Sequence, residues 1–269
     1  MASEPMAASS KDLTRREFLA AAGGALLAGE VLAAAPAAVE AERVTYHNGT
    51  MPIGANLYRP QAEGPHPGLV VIHENRGLTD YIAETARQLA QAGYVALAPN
   101  LVSRKLGPDA PGGTDAAMAA LRELSTEDAL SDLGAALTFL KARPEVRADR
   151  LGCVGFCYGG RLSLLLACHQ PDLDACVVFY GRPGDALPLI PQLRAPVLAH
   201  YGEKDSAIPV AAAKELEETL RRHGKVHEVY IYPGAGHAFH RPGGPNYHPD
   251  AARAAWQRTL DWFARYLAA

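Results

Sequence analysis

The chain has 269 residues, of which 48% are hydrophobic and 20% are charged, and this suits one globular domain of the larger α/β size. Its 26 basic and 29 acidic residues give a formal net charge of −3 without a basic patch, which argues against a nucleic-acid partner. The 4 cysteines are too few for a disulfide scaffold and lack the C-x-x-C spacing of zinc or thioredoxin-like redox sites. We expect Cys153 and Cys176 to be buried thiols.

The N-terminal stretch "TRREFLAAAGGALLAGEVLAAAPAAVEA" resembles a twin-arginine export signal. The residues that fill the pattern are Thr14, Arg15, Arg16, Phe18 and Leu19. The resemblance predicts a signal peptide over residues 1–41, cleaved after Ala35, Ala38 or Ala41, with the Tat translocase as a transient partner and a periplasmic or otherwise exported product. A leader helix or a retained anchor is the alternative, although the apolar run, interrupted by Glu30, is shorter than the roughly 20 residues of a membrane span. No later segment is long and apolar enough to cross a membrane.

From residue 43 onward, short apolar runs alternate with helical patterns. "RVTYHNGTMPIGANLYRP" predicts a hairpin with Asn48-Gly49 at its turn, because that dipeptide tolerates positive φ angles. Further predicted elements are a strand at 68–74, a helix from Asp80 to Gly93, a strand at 94–99, a polar loop at 100–114, a helix at 128–142 and a strand at 150–156. They are followed by a helix at 161–169, strands at 175–180 and 195–202, a helix at 211–224, a strand at 226–232 and a closing helix at 249–267. This alternation predicts an α/β domain over residues 42–269, with a mainly parallel sheet covered by helices on both faces.

The stretch "VGFCYGG" places Cys157 between a predicted strand and a predicted helix. At a helix N-terminus, free N–H groups and the helix dipole favour a thiolate. Gly155, Gly159 and Gly160 permit the close backbone approaches of a strained turn, and the N–H of Tyr158 would face a developing oxyanion. The motif is weak by itself, because glycine-rich bends also occur as plain structural turns.

An acid and a histidine follow Cys157 at the ends of later predicted strands. Asp205 comes 48 residues after Cys157 and His237 comes 32 residues after Asp205, so the order is nucleophile, acid, histidine. Glu203 is a rival acid, Asp205 has an alternative role as a helix cap, and His240 is a rival histidine. We expect the other histidines, among them His73, His200 and His223, to be structural or at the surface.

Five motifs in this order, "HENRG", "APNLVSR", "GFCYGG", "GEKD" and "GHAFHR", give the chain a resemblance to the dienelactone hydrolase family from about residue 43 onward. The resemblance implies the α/β-hydrolase fold and a triad of Cys157, Asp205 and His237. It also implies hydrolysis of an enol-lactone, the conversion of a dienelactone to maleylacetate, without a metal or an organic cofactor.

The resemblance implies roles for further residues. Glu74 would interact with the resting thiol and release it for ionisation when an anionic substrate binds, and the N–H of Asn75 would be a second oxyanion donor. Arg104 and Arg241 would hold the substrate carboxylate with their planar guanidinium groups. The alternatives are a strand-end carboxylate bound to loop backbone for Glu74, and solvated surface charges for the two arginines.

The sequence departs from the family pattern around Glu74, where His73, Asn75 and Arg76 are more polar than the family's usual neighbours, and at Asn100, where the family has aspartate. An exported protein would also not meet an intracellular dienelactone. We therefore expect a hydrolase of small, anionic lactones or carboxylic esters, acting through a thioester as a monomer or small homo-oligomer. The alternative is a non-catalytic or redox-sensing carboxylate-binding module that retains the hydrolase pocket.

Overall fold

A computed structural model describes residues 37–268 of the chain. The predicted signal peptide over residues 1–41 lies almost wholly outside the described residues. Eight strands form one sheet in the order β1-β2-β4-β3-β5-β6-β7-β8. The strands are β1 (Val39–Asn48), β2 (Met51–Pro60), β3 (His66–Ile72), β4 (Val95–Pro99), β5 (Val146–Phe156), β6 (Ala175–Phe179), β7 (Val197–Gly202) and β8 (His227–Tyr232). The pairs β1/β2 and β2/β4 are antiparallel and every other pair is parallel, which confirms the predicted α/β-hydrolase architecture.

Helices connect the parallel strands and cover both faces of the sheet. They are α1 (Asp80–Gln91), α2 (Ser103–Leu106), α3 (Asp115–Glu123), α4 (Thr126–Lys141), α5 (Tyr158–His169), a 3₁₀ helix (Gly184–Gln192), α6 (Val210–Arg222) and α7 (Pro249–Leu267). Within residues 37–268, no helix combines the length and the hydropathy that a membrane span needs.

The apolar runs are continuous because side chains of the central strands are buried on both faces. Val70 and Cys153 pack with α4, α5 and α6 on one face, whereas Leu69 and Val154 pack with α1 and α7 on the other. Successive strand residues point to opposite faces, so a strand covered on both sides has no polar positions in its alternation. Cys153 and Cys176 are register partners in β5 and β6 and both are free, buried thiols, as expected.

The predicted hairpin is present, but its turn lies one residue later than the prediction. Asn48 still pairs with Met51, so the two loop residues are Gly49 and Thr50. Gly49 has a φ of +59°, the left-handed value that glycine adopts without strain. The prediction placed Gly49 in the turn correctly, but Asn48 belongs to the strand and Thr50 is the second loop residue.

Two elements differ from the sequence prediction, and one helix start agrees with it. β1 begins at Val39, so the folded domain starts before residue 42, and cleavage after Ala41 would remove the start of this strand. Helix α1 begins at Asp80 itself, with Thr79 at the N-cap position. Helix α3 was not predicted, although its N-cap Thr114 accepts a hydrogen bond from the Ala117 N–H.

Candidate active site

Cys157 lies in a sharp turn between β5 and α5. Its φ of +54° and ψ of −112° are strained for a residue with a side chain, and its N–H bonds to the Phe179 carbonyl over 3.0 Å. A Cβ at Gly155 would lie 1.9 Å from the Gly159 carbonyl oxygen, and one at Gly159 would lie 2.3 Å from the Ile72 carbonyl oxygen. Only glycine fits at these positions, so the motif forms the strained turn that its sequence predicts.

The structure brings the three predicted triad residues into contact. His237 Nε2 lies 3.1 Å from Cys157 Sγ, and His237 Nδ1 lies 2.7 Å from Asp205 Oδ2. Asp205 Oδ1 accepts hydrogen bonds of 2.8 Å from the N–H groups of Ala207 and Ile208, which fix the carboxylate. These residues follow β5, β7 and β8, whose carboxyl ends meet at one edge of the sheet.

The contacts of His237 favour its charged form. Burial disfavours the imidazolium, but the hydrogen bonds with Asp205 and Cys157 outweigh it and raise the pKa of His237 to about 10. Burial also acts against the Asp205 carboxylate, yet the hydrogen bonds from His237 and the loop backbone hold the pKa of Asp205 below its ordinary value. The contacts with Asp205 and Cys157 therefore favour the protonated His237 ring over the neutral one.

The rival residues have other partners. Glu203 Oε2 accepts a hydrogen bond of 2.9 Å from the Gly234 N–H in the turn after β8. His240 is buried, its Nδ1 lies 2.8 Å from the Tyr81 hydroxyl, and burial lowers the pKa of His240 to about 4. The Tyr81 hydroxyl in turn lies 3.3 Å from the Tyr180 hydroxyl. His240, Tyr81 and Tyr180 therefore form a series of side-chain hydrogen bonds beside the active site.

A cavity of about 470 Å³ opens over the triad. Four of its lining residues were predicted site residues: Cys157, His237, Tyr158 and Asn75. Five other lining residues were not predicted, namely Tyr180, Arg161, Arg182, Ala207 and Ile208. Tyr180 and Arg182 come directly after β6, and the same rule that located Asp205 and His237, a position after a parallel strand, could have identified them.

Asn75 and Tyr158, whose backbone N–H groups are the predicted oxyanion donors, line this cavity. Neither N–H donates to another atom within the described part of the chain. Tyr158 is the first residue of α5, where helix N–H groups have no intrahelical partner. The two N–H groups therefore stay candidates for the predicted oxyanion contacts.

Glu74 is buried beside the triad and pairs with an arginine. Its Oε2 accepts a hydrogen bond of 3.1 Å from Arg241 Nη1. Burial raises the pKa of Glu74 above its ordinary value, and Arg241 opposes that increase. Arg241 and Arg76 line an adjacent hollow of about 390 Å³, not the cavity over Cys157. Within residues 37–268, Glu74 forms no hydrogen bond to the Cys157 thiol, unlike the contact that the resemblance implied.

His73 holds the segment that carries Glu74. His73 Nε2 accepts a hydrogen bond of 3.1 Å from the Leu101 N–H, so the proton lies on Nδ1, which donates to the Glu74 carbonyl over 2.7 Å. Burial lowers the pKa of His73 to about 4, and the ring stays neutral. The prediction of a structural His73 is confirmed.

Arg104, predicted to hold a substrate carboxylate, pairs in the structure with two acidic residues of the protein itself. Arg104 Nε and Nη2 donate to the two carboxylate oxygens of Asp132 over 3.0 and 2.7 Å, and Arg104 Nη1 lies 3.2 Å from Asp128. Asp132 is fully buried on α4 and needs a cation, so Arg104 joins α2 to α4 and does not line the cavity over Cys157.

Comparison with known proteins agrees with this geometry. The model of the dienelactone hydrolase family matches residues 53–267. A protein of Methylorubrum extorquens named "Putative carboxymethylenebutenolidase" is 35% identical, with 94% of each chain covered. A Bradyrhizobium protein named "Probable 2-oxo-3-(5-oxofuran-2-ylidene)propanoate lactonase" is 36% identical over 79% of this chain and 89% of its own length.

A crystal structure from Klebsiella pneumoniae, described as "Putative Dienelactone Hydrolase", superposes with a TM-score of 0.78 and 32% identity over 85% of this chain and 100% of its own. The family match, the named relatives and the similar crystal structure all agree with the motifs found in the sequence. The chain therefore belongs to the dienelactone hydrolase family and is a hydrolase of that type.

Proposed function

We propose that this protein hydrolyses small lactones or carboxylic esters through a thioester on Cys157. The observation that carries the proposal is the continuous contact from Asp205 through His237 to the Cys157 sulfur, over 2.7 and 3.1 Å. It has the geometry of a nucleophile, a base and an orienting acid.

In the first half-reaction, the Cys157 thiolate attacks the substrate carbonyl carbon. The carbonyl oxygen becomes an oxyanion that accepts hydrogen bonds from the N–H groups of Tyr158 and Asn75. The intermediate collapses to a thioester, and the leaving alkoxide or enolate oxygen takes a proton from the His237 imidazolium. In a lactone the leaving oxygen remains attached to the acyl chain.

In the second half-reaction, neutral His237 takes a proton from water, and the hydroxide attacks the thioester carbonyl. The carboxylic acid is released and the sulfur leaves as the thiolate, again facing an imidazolium. Asp205 holds the ring in place in both steps and stabilises its charge. The two half-reactions together consume one water and restore the enzyme.

The proposed substrate class is an anionic enol-lactone or activated ester. The name of the Bradyrhizobium relative describes a lactone that carries a propanoate group. Here Glu74 and Arg241 form a buried pair beside the triad. A carboxylate that bound Arg241 would compete with Glu74 and change the charge around the sulfur, which is the role that family resemblance gives these residues.

The test is hydrolysis of p-nitrophenyl acetate and of an enol-lactone by the wild type and by Cys157→Ala. We expect the substitution to lower kcat by about ten-thousandfold or more, because it removes the nucleophile. The matched control is Cys168→Ala, which removes a buried thiol away from the cavity. Mass spectrometry of the acid-quenched wild type should show an acyl adduct on the Cys157 peptide.

Turnover that survives in Cys157→Ala would overturn the proposal. A wild type that shows no turnover, but whose Cys157 is oxidised reversibly by peroxide, would favour the redox-sensing alternative.

A further inference from the structure

We propose that Arg182, supported by Arg161, is the anion-recognition site of the cavity over Cys157, and that it binds a carboxylate carried by the substrate chain. This inference rests on the hydrolase function proposed above and assigns the substrate carboxylate to a residue of the cavity over Cys157 instead of to Arg241, which lines the adjacent hollow. It places substrate recognition on the loop after β6, where neither the motifs nor the family resemblance pointed.

The charged side chains that line the cavity over Cys157 are positive. Two of its nine lining residues, Arg161 and Arg182, are arginines, and none is aspartate or glutamate. A cavity of about 470 Å³ with these walls has room for a small acyl chain and favours an anionic end group.

The arginines around the site differ in whether a carboxylate of the protein neutralises them. Arg104 is held by Asp132 and Asp128, and Arg241 by Glu74. Arg182 differs, because the described part of the chain offers it no carboxylate partner. Its one hydrogen bond runs from Nη2 to the Ala207 carbonyl over 2.7 Å, which leaves the charge available to a ligand.

The backbone before Arg182 and the carbonyl that its side chain contacts are both held in place by other contacts. Tyr180 has a φ of +41°, and a Cβ at Gly181 would lie 2.3 Å from the Gly160 carbonyl carbon of α5. Tyr201 donates a hydrogen bond of 3.0 Å to the Gly181 carbonyl. The Ala207 carbonyl belongs to the loop that Asp205 fixes, so the guanidinium is tied to the triad itself.

Arg161 is the supporting charge. Its Nε donates to Asp185 over 2.7 Å, and its Nη2 donates to Asp185 and to Thr126. Asp185 partly neutralises this arginine and does not line the cavity. Arg161 therefore contributes a fixed, partly compensated charge beside the more available one of Arg182.

The apolar residues of the cavity complete the expected ligand. Ile208 and the rings of Tyr158 and Tyr180 offer contact for carbon atoms between the reactive carbonyl and the charged end. The substrate class is therefore a lactone or ester whose acyl chain carries a terminal carboxylate.

The experiment compares three p-nitrophenyl esters with one leaving group. The acyl chains are adipate with a free carboxylate, adipate capped as its methyl ester, and a chain of similar length that ends in trimethylammonium. The ratio of kcat/KM for the anionic to the capped ester is measured for the wild type, Arg182→Gln, Arg182→Lys and Arg182→Glu. The control is Arg147→Gln, at the start of β5 and thus at the opposite edge of the sheet.

We expect Arg182→Gln to lower the ratio at least fivefold, mainly through KM, and Arg182→Lys to keep most of it. Arg182→Glu should make the trimethylammonium ester the preferred substrate, and Arg147→Gln should keep the wild-type ratio. The preference of the wild type should weaken as salt is added.

Equal losses on the anionic and capped esters in Arg182→Gln, or an unchanged ratio, would overturn the subsite while leaving the triad intact. Failure of the proposed function has another signature, namely hydrolysis of all three esters that persists in Cys157→Ala.

Discussion

Two buried pairs of an arginine and a carboxylate, Arg104 with Asp132 and Arg241 with Glu74, use the same chemistry in different ways. Asp132 is fully buried and accepts three side-chain hydrogen bonds, two from Arg104 and one of 2.8 Å from Asn48. Glu74 is almost as buried but accepts a single one, from Arg241 over 3.1 Å. The Asp132 carboxylate therefore has several hydrogen-bond donors, whereas the Glu74 carboxylate beside the triad can still accept further hydrogen bonds.

The difference teaches that two ion pairs of the same residue types and similar burial can differ in how many hydrogen bonds hold them together. A bidentate pair with additional donors holds one arrangement and resists exchange. A pair joined by one hydrogen bond can exchange its partner for a ligand at lower cost. We therefore expect Arg241 to exchange Glu74 for a ligand more readily than Arg104 could exchange Asp132, because the second exchange would break the link between α2 and α4.

The strongest test of this comparison is Asp132→Asn. The change removes the charge that compensates Arg104, and we expect the free energy of unfolding to fall by about 3 kcal/mol. Urea denaturation followed by circular dichroism measures it. The folded fraction should keep its kcat/KM for p-nitrophenyl acetate, and a large loss of specific activity would show that this pair also serves the active site.

Glu74→Gln should give the opposite pattern, with kcat/KM for an anionic ester about a hundredfold lower and the protein no less stable at pH 7. Burial raises the pKa of Glu74, so the folded state binds this proton more tightly than the unfolded chain does. Its contribution to stability is therefore present in acid and is lost as the pH rises through the raised pKa. Unfolding of wild type and variant at pH 4 and pH 7 checks the sign, and a variant destabilised more at pH 7 than at pH 4 would contradict it.

Asp205 extends the comparison to a third carboxylate, which bonds to two backbone N–H groups and to His237. Asp205→Asn keeps the shape but removes the charge that helps raise the pKa of His237 to about 10. We expect the rate of iodoacetamide alkylation of Cys157 at pH 6 to fall about tenfold, with a smaller change at pH 9. An unchanged pH profile would mean that Asp205 does not set the charge of the ring.

The smallest effect is expected for Arg104→Lys, which keeps the charge and loses the two-point contact. The free energy of unfolding should fall by about 1 kcal/mol, because an ammonium group cannot match both Asp132 oxygens. Thermal denaturation measures this loss, with Arg147→Lys at a weakly paired arginine as the control. A loss as large as that of Asp132→Asn would show that geometry, more than charge, holds the pair.

The sequence predicted the features that depend on local pattern and chain order. The parallel sheet follows from alternating apolar runs, and Cys157, Asp205 and His237 follow from their positions at strand ends. Arg104 could not be placed in this way. Its partner Asp132 is 28 residues away on a helix, and nothing in the local sequence shows that this acid is fully buried.

Arg182 was missed for a related reason. The stretch "YGRPGD" follows a predicted strand, but an arginine there looks like any surface charge until Ala207 and Cys157 are seen beside it.

The turn at Gly49 was displaced by one residue because strand pairing, not the dipeptide alone, decides where the loop begins.

The four thiols differ in access, since Cys153, Cys168 and Cys176 are buried and Cys157 alone is partly exposed. The wild-type protein thus offers one covalent handle for a fluorophore or a solid support, without prior removal of other cysteines. A reporter attached there would occupy the cavity itself, so labelling and inactivation should proceed with the same stoichiometry. The amount of label bound to Cys157 would therefore measure the concentration of active sites.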